Sequence, residues 1–420
     1  MLDTVRGNLI GLLRWSEKYT KTDMVYLAES GFWMNLTTVL LSFFAFLLYI
    51  VFANTLPKET YGVYQYLLSL SAIISSLTLT GMNLAVMQAV PRGYEGTFRA
   101  SVGVQLRWSA IALAASCLGA LYYLVHGNAE LAKGLILIGL LLPVVNAFNT
   151  FGAYLAGTRR FEEFFFYSMY LYVPLYAALA IGAYATVNSV TLLLINLGVQ
   201  VILMILIYRS ILSRFKPNAN IDDESIAYGK RLSIVNVFGA AAGQIDNILA
   251  FHFLGAAPLA VYSFATAIPD RLGGLFKFVQ TAALPKFAAR TTEEIQGSIV
   301  GKVWRTALVA LFGACGYMLI APFIFKIFFP AYVDAIPYSQ LYALTMILYA
   351  TNIWVTAIIS QRLTKEYAVY SIGTSITQTA ILLVGIVFWG LWGLVAAKII
   401  SNLLSGLVAG ALFMFKRNER

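Results

Sequence analysis

Long, unbroken apolar segments occupy most of this 420-residue chain and limit what it can fold into. The hydrocarbon core of a bilayer is about 30 Å thick, so a helix needs about 20 apolar residues to cross it. Because the segments are continuous and do not alternate with polar residues, they predict spanning helices and not barrel strands. Twelve spans are predicted, at residues 31–52, 61–90, 103–125, 131–156, 164–186, 190–212, 232–254, 259–283, 303–329, 336–360, 368–389 and 391–415.

Composition supports an all-α integral membrane protein. Hydrophobic residues make up 60% of the chain and charged residues 11%, whereas soluble domains carry about 25% charged residues. The formal net charge is +10, but most basic residues fall in short loops, where they orient helices and contact anionic lipid. The positive charge therefore predicts membrane lipids as partners and does not indicate nucleic acid.

The basic residues also predict the orientation of the chain. Most of the 29 lysines and arginines lie in the amino-terminal segment, the even-numbered loops and the carboxyl tail. The odd-numbered loops contain only Lys58, Lys133 and Lys326. Loops rich in Lys and Arg stay in the cytoplasm, so both termini are predicted to be cytoplasmic.

A polar linker divides the predicted spans into two sets of six. We predict an amphipathic segment at 1–30, an amino-terminal six-helix bundle at 31–212, a cytoplasmic linker at 213–231, a carboxyl-terminal six-helix bundle at 232–415 and a cytoplasmic tail at 416–420. Short motifs recur between the two halves in the same order. The matched segments are Tyr61–Tyr64 with Leu259–Tyr262, and Arg159-x-x-x-Glu163 with Arg362-x-x-x-Glu366. Six spans in each half predict a pseudo-two-fold axis along the membrane normal, with alternating access to a central cavity.

Charged residues interrupt the apolar hairpin that runs from Gly243 to Gln280. It contains Asp246, Asp270, Arg271 and Lys277. A charge near the bilayer centre costs at least about 2.5–3.5 kcal/mol unless it faces protein or water, so such residues are functional candidates. The alternative is that Asp270 and Arg271 neutralise each other inside a bundle.

Two segments of the chain resemble a known superfamily. ANTLPKETYGVYQYLLSLSAIISSLTLTGMNLAVMQAVPRG resembles the first helical hairpin of polysaccharide exporters in the multidrug/oligosaccharidyl-lipid/polysaccharide (MOP) superfamily, and GQIDNILAFHFLGAAPLAVYSFATAIPDRL resembles its counterpart in the second half. Pro330 stands where that family usually has glycine. In its number of spans, twelve, the chain resembles O-antigen flippases of the Wzx type, whereas lipid II flippases have fourteen spans.

The resemblance implies an alternating-access flippase in the bacterial inner membrane. Its expected substrate is an undecaprenyl-pyrophosphate-linked oligosaccharide, such as an O-antigen repeat unit of lipopolysaccharide, moved from the cytoplasmic to the periplasmic leaflet. A polysaccharide polymerase and a chain-length regulator are the implied protein partners. No cofactor is expected, and coupling to a proton or sodium gradient is an open possibility.

Two other functions remain open from the sequence. A drug/cation antiporter of the same superfamily would also have twelve spans, but the acidic residues characteristic of its first span are not seen here. A membrane polysaccharide polymerase or glycosyltransferase would handle the same lipid carrier, but we expect such an enzyme to need a larger extramembrane loop. The chain also lacks a Gly-x-x-x-x-Gly-Lys-Ser/Thr phosphate loop, so we predict a transporter that is not an enzyme and not directly driven by ATP.

The substrate's chemistry selects candidate binding residues. Arg271 is the leading phosphate ligand because a guanidinium binds phosphate oxygens bidentately. Lys277, Lys398 and Asp270 complete the predicted substrate site, although both lysines can instead extend to the membrane interface.

A second set of residues is predicted to couple or gate transport. The resemblance places Gln244, Asp246 and Asn247 at polar positions of the seventh span, where Asp246 can bind a proton or sodium ion or make a structural hydrogen bond. The gate candidates are Arg159, Glu163, Arg362 and Glu366, for which ordinary loop salt bridges are the alternative. With His126 and His252 as the two histidines, no histidine-rich metal site is expected.

Overall fold

A computed structural model describes residues 24–274, Phe287, 291–361 and 363–415. In these ranges every regular element is a helix, which confirms the prediction of an all-α protein. The amphipathic segment predicted at 1–30 lies mostly outside the described residues, and the tail at 416–420 lies wholly outside them.

Eight helical stretches of the described chain are long and apolar enough to cross a membrane. They are Ser30–Thr55, Thr97–Val125, Ala129–Gly157, Phe161–Ala185, Ser189–Phe215, Thr292–Phe328, Pro330–Ser360 and Lys365–Met414. The last stretch contains the eleventh and twelfth predicted spans. The second, seventh and eighth predicted spans are not in this set, and residues 275–283 of the eighth lie outside the described residues.

Contacts divide the chain into two compact units. Unit 1 contains the described residues up to Val51, with Ile74–Thr186 and Val190–Val237. Unit 2 contains Phe52–Ile73, Val187–Ser189 and the described residues from Phe238 onward. The contacts therefore group residues 52–73 with unit 2, whereas the sequence places them in the amino-terminal bundle. The predicted symmetry of two six-helix bundles stays a prediction.

The helices are numbered here in chain order, and the division between the units cuts four of them, after Val51, Ile73, Ser189 and Val237. The first ten are α1 Met24–Thr55, α2 Lys58–Ser76, α3 Met82–Ala89, α4 Thr97–Trp108, α5 Ala110–Val125, α6 Ala129–Phe148, α7 Phe151–Gly157, α8 Phe161–Ala185, α9 Ser189–Phe215 and α10 Asp223–Ala242. The others are α11 Ile245–Leu254, α12 Ala256–Gly274, α13 Thr292–Phe328, α14 Ile336–Tyr342, α15 Thr345–Leu348, α16 Asn352–Ser360 and α17 Thr364–Met414. Three 3₁₀ turns lie at Val90–Arg92, Pro330–Ala335 and Tyr349–Thr351.

The second predicted span is two helices, α2 and α3, and the single helix predicted over 61–90 is wrong. Hydroxyl side chains at the break compete with the backbone for hydrogen bonds. Thr78 Oγ1 donates to the carbonyl of Ser75 at 2.7 Å. Asn146 Nδ2 donates to Ser75 Oγ at 2.7 Å and to Thr78 Oγ1 at 2.9 Å. Leu79 adopts a positive φ of 61° in the turn between the helices.

Two other predicted spans are also interrupted. The seventh breaks at Gly243 and Gln244, between α10 and α11. The tenth contains α14, α15, a 3₁₀ turn and α16, and threonine hydroxyls bond backward within it. Thr345 donates to the carbonyl of Tyr342 and Thr351 to that of Leu348, both at 2.7 Å. This irregular stretch positions Tyr342 and Tyr349, two residues of the candidate site described below.

The eleventh and twelfth predicted spans meet at Gly390. This glycine has a φ of +58° inside α17, where the helix is kinked. The segments on either side come close at two other glycines, since a Cβ at Gly393 would lie 1.8 Å from the backbone oxygen of Gly385. The kink therefore ends one predicted span and begins the next.

Unit 1 has an aromatic and aliphatic core, and the linker after α9 is bound to another part of this unit. Phe98 and Tyr154 stack with centroids 4.8 Å apart within this core. The segment between α9 and α10 is shorter than the predicted 213–231 linker, since those helices end at Phe215 and begin at Asp223. Asp222 accepts hydrogen bonds from Ser225 N at 3.1 Å and Arg92 Nη2 at 2.5 Å. The linker is thus bound to the turn before α4.

Candidate functional site

The break between α10 and α11 places a carboxylate at the start of a helix in unit 2. Asp246 is the second residue of α11 and is 7% exposed. Its Oδ1 accepts the backbone N–H of Asn247 at 3.0 Å. The positive end of the helix dipole stabilises a negative charge at this position.

Lys398 of α17 forms a buried ion pair with Asp246. The Nζ–Oδ2 distance is 2.7 Å, and the two side chains are 14% and 10% exposed. Tyr262 Oη donates to the same Oδ2 at 2.9 Å. The sequence assigned Lys398 to substrate and Asp246 to a coupling ion, whereas the structure joins them. A bound anion can use Lys398 only in competition with Asp246.

The other two predicted ion-coupling residues lie beside this pair. Asn247 Nδ2 donates to Ser69 Oγ of α2 at 3.0 Å and to Gln244 Oε1 at 3.2 Å. The three residues predicted from the seventh span are therefore grouped around one break, with a hydroxyl from α2. Their role in ion coupling stays a prediction.

A second carboxylate, Asp270, lies on α12 and is exposed. Its Oδ1 accepts hydrogen bonds from Tyr342 Oη at 3.0 Å and Tyr349 Oη at 3.4 Å. The rings of Tyr342 and Tyr262 meet edge to face with centroids 6.4 Å apart, so the two acidic sites share an aromatic contact. Asp270 also lies within electrostatic reach of Lys398 and Asp246. We call these six residues the unit 2 polar cluster: Asp246, Tyr262, Asp270, Tyr342, Tyr349 and Lys398.

Sequence reasoning missed the three tyrosines of this cluster. Tyr262 ends the repeated Leu-Ala-Val-Tyr motif, and this was a usable signal. Tyr342 and Tyr349 are seven residues apart, a spacing that places them on one face of a helix. Nothing in the sequence shows, however, that this face meets Asp270.

Arg271 follows Asp270 on α12 and is also exposed. Lys277 and Arg362 lie outside the described residues, so their predicted roles gain nothing from the structure. No three His, Cys, Asp or Glu side chains come together as metal ligands in the described ranges.

One of the gate candidates forms an ion pair with a residue that the sequence did not single out. Glu163, in the first turn of α8, pairs with Arg160 at 3.4 Å. Arg160 directly precedes the helix, three residues before Glu163, while Arg159 lies in the preceding turn with a positive φ of 60°. Glu366 lies in the first turn of α17. A gating role for these residues stays a prediction.

Comparison of the fold identifies similar transporters. The chain superposes with a TM-score of 0.68 on an inward-facing multidrug resistance MATE family transporter of the MOP superfamily, at 12% identity over 89% of this chain and 93% of the other. Lipid II flippase MurJ in an inward closed conformation gives 0.66, at 13% identity over 89% and 86%. A MOP superfamily transporter from Pyrococcus furiosus gives 0.61, at 14% identity over 93% and 94%. These likenesses show a MOP-type fold.

Comparison of the sequence is more specific. No curated protein matches the chain. Residues 51–296, more than half of the chain, match the family model described as polysaccharide biosynthesis protein. The matched region contains Asp246, Tyr262, Asp270 and Arg271 of the site described above. This multi-pass membrane protein belongs to the polysaccharide biosynthesis protein family and has the fold of MOP superfamily transporters.

Proposed function

We propose that this protein is a flippase for an undecaprenyl-pyrophosphate-linked oligosaccharide, such as an O-antigen repeat unit. It moves this lipid from the cytoplasmic to the periplasmic leaflet of a bacterial inner membrane by alternating access. The observation that carries the proposal is a group of charged side chains on membrane helices, in a chain from a polysaccharide biosynthesis family. Both termini are proposed to be cytoplasmic, and a polymerase and a chain-length regulator are proposed as partners.

The charges of the unit 2 polar cluster, together with that of Arg271 next to it in the chain, support two separate roles. Lys398 is neutralised by Asp246 at 2.7 Å, so it is poorly suited to bind an additional anion. Arg271 is exposed, and a guanidinium can hold two phosphate oxygens at once. Arg271 is therefore the proposed pyrophosphate ligand, and the Asp246–Lys398 pair is proposed to respond to a proton or sodium ion.

Transport of defined lipid-linked oligosaccharides in proteoliposomes, with and without proton and sodium gradients, tests this function. Arg271→Ala should insert normally and lose transport, while Arg271→Lys should recover part of it because the charge remains. A lost charge-assisted contact to phosphate weakens affinity by roughly ten- to a hundredfold. Arg305→Ala, at another exposed arginine of unit 2, is the matched control.

Several outcomes would contradict the proposal. Full transport by well-inserted Arg271→Ala would remove the assigned phosphate ligand. Transport of organic cations, with no transport of the lipid, would favour the drug/cation antiporter. Extension of the glycan by the purified protein would favour the polymerase.

A further inference from the structure

Two tyrosines hold one carboxylate of unit 2 in a fixed orientation. Asp270 Oδ1 accepts both tyrosine hydroxyls, while its Oδ2 accepts no hydrogen bond from any residue that the structure describes. The side chain is exposed. An ionised carboxylate is costly in hydrocarbon, so this exposed side chain should face water or a polar ligand.

The two tyrosines are themselves fixed. Tyr342 is buried, and the ring of Tyr349 lies directly against Gly273. A Cβ at Gly273 would come within 2.2 Å of that ring, so only glycine leaves this space, one turn after Asp270. The acceptor is therefore oriented before a ligand arrives, which lowers the entropic cost of binding.

The chemistry of this acceptor favours hydroxyl groups as its ligand. A carboxylate repels phosphate, whereas a hydroxyl donates a charge-assisted hydrogen bond to it. A metal ion needs several oxygen ligands, and the described residues gather no set of three or more acidic, His or Cys groups. Tyr349 is half-buried beside the carboxylate and presents an aromatic surface next to a polar group. Sugars offer both hydroxyl donors and apolar C–H faces.

We propose that Asp270, oriented by Tyr342 and Tyr349, binds hydroxyl groups of the first sugar of the lipid-linked oligosaccharide; this rests on the proposed flippase function. The order of residues supports the assignment. Asp270 and Arg271 are consecutive, so their Cα atoms are about 3.8 Å apart. In the substrate the pyrophosphate and the first sugar are likewise joined directly. The proposed ligands for sugar and for phosphate are thus adjacent in the protein, as the sugar and the pyrophosphate are in the substrate.

Binding to the full-length protein in nanodiscs tests this subsite. The probes are undecaprenyl pyrophosphate and undecaprenyl pyrophosphate carrying N-acetylglucosamine. The wild-type protein should bind the sugar-bearing lipid about tenfold more tightly or better, as expected for a hydrogen bond to a charged group. Asp270→Asn should bring this ratio close to one without weakening binding of the lipid that lacks sugar. Asp334→Asn, at an exposed carboxylate of the same unit, should leave the ratio unchanged.

A second variant separates recognition from folding. Tyr349→Phe keeps the ring and the Asp270 charge but removes one orienting hydroxyl, so the ratio should fall by a few fold. This result would support the subsite even if Asp270→Asn does not fold, and an unchanged ratio in Tyr349→Phe would then overturn it.

Other outcomes would also overturn the inference. If the wild-type protein binds both lipids equally, the sugar subsite fails while the proposed flippase function stands. If it binds neither, both fail. If Asp270→Asn keeps the ratio but abolishes dependence of transport on sodium or protons, Asp270 is a cation site.

Discussion

Removal of Lys398 should destabilise this protein far more than removal of a lysine in a geometrically matched but exposed ion pair. Lys398–Asp246 and Lys58–Asp334 both have N–O distances of 2.7 Å. The first pair is 14% and 10% exposed, the second 29% and 55%. Breaking a buried pair leaves an uncompensated charge and costs about 3–5 kcal/mol, whereas an exposed pair contributes about 1 kcal/mol or less.

The assay is thermal unfolding of the purified protein in detergent. For a unit of 150–250 residues each kcal/mol shifts Tm by about 2–4 °C, so Lys398→Met should lower Tm by roughly 6 °C or more. Lys58→Met, the matched control, should lower it by a few degrees at most. Replacing both partners, as Asp246→Asn with Lys398→Met, should restore most of the loss because no buried charge remains.

Two results would refute this reasoning. Equal Tm values for Lys398→Met and Lys58→Met would show that burial does not set the energy of these pairs. A double variant no more stable than Lys398→Met would show that the lysine stabilises the fold by packing and not by neutralising Asp246.

Other predictions concern packing, pH and topology. Gly62→Ala should destabilise by about 1–3 kcal/mol, because its Cβ would lie 1.9 Å from a backbone oxygen of α12; Gly103→Ala, with open space at that position, should not lower Tm. A backbone N–H of α10 holds the pKa of the Asp222 carboxyl below its ordinary value. The stability that the Asp222 carboxylate gives to the linker should therefore be complete above about pH 4 and lost as the pH falls further. Hydrogen exchange of the linker measures this loss, which should be absent in Asp222→Asn. With the native cysteines replaced, an impermeant thiol reagent should label Asp334→Cys in intact cells and Asn220→Cys only after permeabilisation; the reverse would reject the orientation.

The break between α10 and α11 depends partly on the local sequence and partly on tertiary packing. Glycine at residue 243 weakens a helix locally, but the apolar run on both sides predicts a continuous span. Only packing in unit 2 decides that the helix restarts at Ile245. It thereby places Asp246 in a first turn, where Tyr262 and Lys398 reach its carboxylate.

The sequence alone determined the class of this protein. Its continuous apolar segments of membrane length predict helices, in which the backbone groups bond within their own segment, and not the alternating strands of a barrel. Charges inside those segments marked Asp246, Asp270, Arg271 and Lys398 as candidates, since each is costly there without a partner. The sequence also placed a boundary between two spans at Gly390, and the structure has a kink there with a positive φ, which favours glycine.

Only the tertiary structure decided which of these residues meet. Lys398 and Asp246 are 152 positions apart, and local pattern carries no information about contacts over such distances. The tyrosines on Asp270 depend on the irregular tenth span and on the space left by Gly273. Periodicity assigns a side chain to a face of its helix, but the partner of that face is chosen by the packing of all the helices together.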